Sequence, residues 1–232
     1  MTFETSARII NERSYYFGDE MKNFAVSALA GRWSARARTG GAAWVMASAL
    51  LALPLSSQAA EAGGVRFPDK LSVAGTPLVL NGAGVRYKAV FKVYAAALYA
   101  PEKSVVADEL IGTQAPKRLS ITMLRDIESD ELGKMFSRGM EDNMDRVAFS
   151  RLLPGVLRMS QLFSDHKKLA AGDSFTVDWV PGTGTVVTIK GEAPNTMSRE
   201  PEFFQALLRI WLGNKPADWK LKDALLGKST SS

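Results

Sequence analysis

Arg86 and Tyr94 are the polar residues of this chain with the most chemistry to offer. Arg86 stands directly behind Gly82-Ala83-Gly84, and Tyr94 lies inside Phe91–Tyr99, a run whose one charge is Lys92. A guanidinium among apolar neighbours needs an acid of the protein itself or an anionic ligand oxygen, such as a carboxylate or an enolate. The residues leave both options open. A tyrosine hydroxyl nearby can donate a second hydrogen bond. Strand alternation puts Arg86 on one face with Lys88.

Other chemistries are poorly supplied. The chain has no cysteine, which removes thiol catalysis, thiolate metal sites and disulfides. Its one histidine, His166, sits in Ser164-Asp165-His166-Lys167-Lys168, reads as a solvated loop residue, and has no nucleophile elbow to serve. No metal-ligand spacing occurs. Gly82-x-Gly84 lacks the third glycine, the following helix and the acidic residue of a dinucleotide fingerprint. The acids Glu128, Asp130, Glu131, Glu141, Asp142 and Asp145 read as a solvated helix face. From Ala60 onward the chain carries 23 basic and 20 acidic residues, with no Lys/Arg block, so no nucleic-acid footprint is expected.

The elements that must position Arg86 and Tyr94 follow from periodicity. Val65–Phe67 and Leu71–Val73 read as a strand entry, and Thr76–Leu80 as a second strand with Pro77 hinting at an edge. A glycine turn at Gly82–Gly84 then leads into two strands, Val85–Phe91 and Val93–Tyr99. Ser104–Ile111 is expected to be a short helix capped by Ser104, and Arg118–Leu124 alternates as a strand. Ser129 is expected to cap a helix whose apolar face is Leu132, Met135, Phe136, Met140 and Met144. A helix over about 152–163 follows. Ser174–Val180 and Thr185–Ile189 flank Pro181-Gly182-Thr183-Gly184 as a hairpin, with a short edge strand or turn over 191–198. Pro201 opens a helix that Gly213 and Pro216 close, and a last helix spans Asp218–Leu226. This order is α+β, a mainly antiparallel sheet covered on one face by helices.

A targeting segment precedes the domain. Arg32, Arg36 and Arg38 lead into the apolar run Ala42–Leu55, and Ser57 and Ala59 sit at −3 and −1 of a cleavage site after Ala59. Residues 21–59 are therefore expected to form a signal peptide starting at Met21. Residues 1–20, a mixed stretch whose Glu4, Glu12, Asp19 and Glu20 are out of place ahead of a signal, then precede the true start. The domain occupies 60–232 and is expected to be periplasmic or otherwise exported, with no stable membrane span after processing.

Gly82-Ala83-Gly84-Val85-Arg86, the run Phe91–Tyr99 and the stretch Phe203–Pro216 together resemble the chalcone isomerase-like superfamily, its bacterial exported branch above all. The resemblance implies an open-faced β-sandwich, a large antiparallel sheet under a layer of helices with a ligand cleft between. It also implies that Arg86 matches the arginine that orients the phenolate and stabilises enolate charge in plant chalcone isomerases. Other family positions differ. The plant Lys-Phe-Thr is Lys92-Val93-Tyr94 here, no tyrosine occurs at Ser129–Leu132, and Ile210 replaces a hydroxyl residue. The resemblance thus implies a family member that is not a chalcone isomerase. Fatty-acid-binding and haem-binding relatives suggest a small apolar ligand, with Arg86 as carboxylate anchor, Tyr94 as second donor, and Ile210 and Trp211 lining the cleft. No cofactor is required on this reading, although haem is a candidate ligand alongside a fatty acid or aromatic acid. The alternatives are an isomerase of the intramolecular-lyase type, with Arg86 and Tyr94 catalytic, and a non-catalytic interaction module with a filled cleft.

Overall fold

Two long antiparallel strands, β4 (Thr76–Lys88) and β5 (Phe91–Ala100), are the longest of the domain. The computed structural model describes residues 59–228. The expected leader and start at Met21 lie outside the described residues. From Val93 onward every residue of β5 is buried, as expected for a strand covered on both faces. The long antiparallel sheet adds β3 (Lys70–Val73) beside β4. On the far side of β5 it adds β6 (Lys117–Met123), β9 (Ser174–Val180), β10 (Gly184–Ile189) and β11 (Asn195–Ser198). The order is β11-β10-β9-β6-β5-β4-β3. Two small two-stranded sheets stand apart: the hairpin of β1 (Ala60–Ala62) and β2 (Val65–Phe67), and the antiparallel pair of β7 (Ile127–Glu128) with β8 (Lys168–Leu169), which bracket two helices in the chain.

Alternation along these strands sorts the core into two layers. On one face Tyr94, Ala96, Leu98, Leu119, Ile121 and Phe175 pack under helices α2 (Ser129–Asp142), α3 (Arg146–Ser164) and α4 (Pro201–Leu212). The short helices α1 (Ala107–Gly112) and α5 (Trp219–Leu225) complete that layer. On the other face Leu78, Leu80, Ala95, Ala97 and Tyr99 pack with Ala62 and Phe67 of the β1–β2 hairpin. This is the α+β open-faced sandwich expected from the sequence. No helix among the described residues is long and apolar enough to cross a membrane.

Several local expectations change. Gly82 and Gly84 do not turn the chain; they lie within β4, which runs unbroken from Thr76 to Lys88. Their smallness serves packing, because a Cβ on Gly84 would sit 2.6 Å from the Ala224 methyl, and one on Gly82 would run into the Ala224 carbonyl. The turn falls instead at Ala89-Val90, with Ala89 at φ 55°. The outer strand is β3, and Pro77 lies one strand inward, opposite Ser72. Ser129 is the first residue of α2 rather than its cap, and its hydroxyl is buried without a partner. Val106, not Ser104, precedes α1. Asp145, read as part of a solvated face, is the N-cap of α3 and accepts from the Val147 and Ala148 amides, so α3 begins earlier than expected. Gly213 has φ −72°, and its lack of a side chain makes room for Asn143.

Candidate functional site

Arg86 on β4 and Tyr94 on β5 are direct cross-strand partners, next to a register shift between Arg86 and Tyr87. The guanidinium carbon lies 5.5 Å from the Tyr94 ring centroid. Nη1 donates to Met135 Sδ at 3.8 Å, a weak acceptor. Nε is buried and has no hydrogen-bond partner. Among the described residues no carboxylate forms an ion pair with Arg86. A partly buried guanidinium is thus held without a counter-ion, with donors left over for an anion.

Tyr94 is fully enclosed, and its hydroxyl oxygen accepts from Trp211 Nε1 at 2.7 Å. Burial pushes the phenol above its ordinary pKa, and the Arg86 cation opposes that rise only in part. Tyr94 is therefore a neutral phenol near pH 7. In that state it can give a hydrogen bond.

Helix α2 forms the opposite wall. Met135, Arg138, Gly139 and Asp142 recur at helical spacing and line one cleft of about 290 Å³ with Arg86, Tyr94 and Ile210. Gly139 lets α2 approach α4 closely, since a Cβ there would stand 3.0 Å from Ile210 Cγ2. Lys88, Arg138 and Lys215 stand at the cleft with Asp142 as the one acid. Behind it the interior is filled. Phe136 packs against Phe163, Phe175 and Trp211 with ring centroids 5.4, 5.9 and 5.9 Å apart.

Arg86, Tyr94 and Ile210 thus meet at one cleft. Trp211 does not line it; the indole stands behind Tyr94 and holds its hydroxyl. Met135 and Arg138 were missed as site residues. Met135 carries the apolar period of α2, and Arg138, three residues on, marks the edge of the same face. His166 does not line the cleft; it is partly buried, with Nδ1 3.7 Å from Glu192. No cluster of three or more His, Cys, Asp or Glu side chains able to hold a metal occurs among the described residues.

A larger groove of about 710 Å³ runs between α3, α4 and β11, lined by Arg151, Arg158, Arg209, Glu200 and Glu202. Its charges are partly satisfied within the protein: Arg158 Nε donates to the Met197 carbonyl at 2.7 Å, and the Ser198 hydroxyl donates to Glu200. The Arg86 cleft is smaller but holds a guanidinium whose buried Nε has no partner, which makes it the better candidate site.

Comparison with known proteins agrees with this fold. The pattern of the chalcone isomerase-like family matches residues 59–227. Among solved structures, the crystal structure of an Arabidopsis thaliana fatty-acid binding protein aligns with a TM-score of 0.55 at 17% identity. That alignment covers 70% of this chain and 92% of the plant protein. A search of curated proteins finds no match. With the family pattern matching residues 59–227, nearly all of the described domain, this chain belongs to the chalcone isomerase-like family.

Proposed function

We propose that this protein binds a small amphiphilic carboxylate in the Arg86 cleft and catalyses no reaction on it. The observation that carries this reading is the Arg86 guanidinium, held beside the cleft with a buried Nε and no acid of its own. A carboxylate there would gain charge-assisted hydrogen bonds from the guanidinium, with the Tyr94 hydroxyl as the second donor on this reading. The likeness to a fatty-acid binding protein supports the same ligand class. The cleft, near the lower end of the roughly 300–1,000 Å³ range of small-molecule pockets, suits a short acyl or aromatic acid. A haem would need the packed Phe136–Trp211 interior to open, so the cleft supports it less well. An isomerase would need a proton acceptor; burial makes the Tyr94 phenol a poor one, which leaves Asp142 as the one carboxylate lining the cleft. The leader-like segment supports placing this role outside the cytoplasm, in a bacterial exported branch of the family.

The test is calorimetric titration with octanoate and with its methyl ester. Wild-type protein is expected to bind the acid and not the ester. Arg86→Gln is expected to lower affinity for the acid by about ten- to a hundredfold, the weight of a hydrogen bond to a charged group. It should leave denaturant unfolding nearly unchanged, because no protein acid depends on Arg86. Equal binding of acid and ester, or undiminished binding by Arg86→Gln, would reject the carboxylate anchor.

A further inference from the structure

Next in the chain to the cleft residues Lys88 and Ala217 stands an apolar surface that the binding reading does not use. β4 and β5 are joined by Ala89-Val90, and Val90 is 81% exposed at the tip. Phe91 and Tyr87 beside it are 62% and 41% exposed. Trp219, the first residue of α5, is 61% exposed. It is tied to the same place, because the Tyr87 amide donates to the Asp218 carboxylate at 2.9 Å. Tight hairpin turns favour Asn and Gly, since a positive φ is easy for them. Here an alanine takes φ 55° and a bare valine follows. Neither residue helps the turn or solubility.

Lysines surround this tip. Lys88 pairs across the hairpin with Phe91, and Lys92 with Tyr87. Lys220 follows Trp219, and Lys215 lies at the cleft. Lys88 has Glu131 at 3.7 Å, both largely exposed, while Lys92, Lys215 and Lys220 have no acidic partner among the described residues. The acids nearby are Glu131, Asp142 and Asp218, and Asp218 is engaged in capping α5. An exposed aromatic and valine tip ringed by cations matches the boundary of an anionic bilayer, where apolar rings enter the interface and lysines meet the headgroups.

We propose that the Ala89-Val90 tip, with Phe91 and Trp219, docks on an anionic lipid bilayer and so sets the mouth of the Arg86 cleft against the membrane surface. This goes beyond ligand binding and stands whether or not Arg86 holds a carboxylate. A hydrophobic acid could then pass between bilayer and cleft without crossing water.

The absence of cysteine allows a single label at a chosen position. Val90→Cys carries an environment-sensitive fluorophore in the full protein, and Thr183→Cys is the control. Thr183 lies in the exposed β9–β10 turn, which the strand register puts at the other end of the sheet. Vesicles of phosphatidylglycerol and phosphatidylcholine should blue-shift the label at position 90 and leave that at 183 unmoved. Pure phosphatidylcholine should produce little shift. Reversal of Lys88 and Lys92 to Glu should weaken the response by at least about fivefold per lysine, and salt should weaken it too. Arg86→Gln should keep the shift, which separates docking from ligand capture. The proposal is overturned if position 90 stays unshifted with anionic vesicles, or if neutral vesicles shift it equally. A shift that grows with protein concentration without lipid would assign the patch to a second copy of the chain instead.

Discussion

Lys117 opens β6 with none of its surface exposed, and its ammonium donates to the backbone carbonyls of Thr113 and Ala115 over the Phe204 ring. Burial pushes its pKa down to about 8. An unfolded lysine titrates near 10.4, so between about pH 8 and pH 10 the unfolded chain binds more protons than the folded one. Stability from this group therefore rises with pH across that window, by an amount on the order of 3 kcal/mol. Unfolding in urea at pH 7.5 and pH 10 should show this slope, and Lys117→Met should flatten it. Trp211 supports a second prediction at this scale. Trp211→Phe leaves the buried Tyr94 hydroxyl without its donor and should cost about 1–3 kcal/mol in the same assay. It should also weaken octanoate binding, because the phenol is no longer held in place.

At the scale of elements, β4 is shaped by what packs on it. The end of α5 lies directly on the strand at Gly82 and Gly84, so the sequence signal that looked like a turn marks a helix–strand contact. Gly84→Ala should destabilise the domain by about 1–3 kcal/mol through overpacking, measured as a shift of the denaturation midpoint. Ala89→Gly should act in the opposite direction. Relieving a positive φ at a non-glycine residue should stabilise by about 1 kcal/mol, read in the same titration. The apolar period of α2 was legible, as was the β9–β10 hairpin from its Pro-Gly-Thr-Gly loop. The α3 start was not, because Asp145 stands in a run of acids and its capping bonds are visible only once the backbone is in place.

Across the whole molecule the sheet separates two cores that serve different ends. The helix-side core backs the cleft, and the opposite core includes the β1–β2 hairpin, where Phe67 is buried in one cluster with Leu78, Ala97 and Tyr99. Phe67→Ala should cost about 3–5 kcal/mol in stability. It should leave octanoate affinity unchanged in calorimetry, because the cleft lies on the other face. Loss of both together would show that the two faces are not independent.

Much of this was determined within the sequence. Period two and period 3.6 marked the strands and helices, Pro201 marked the start of α4, and the order of elements specified an α+β sandwich. The motifs around Arg86, Tyr94 and Phe203–Pro216 identified the family. The tertiary structure alone decided which residues meet. Trp211 holds Tyr94 across 117 positions, and Met135 faces Arg86 across 49. Only the folded chain shows Arg86 without an acid. The physical reason is range. Backbone sterics and amphipathic periodicity act over a few residues and set the face each side chain takes. Contacts between distant segments, and the absence of a counter-ion, follow from how all the layers pack at once.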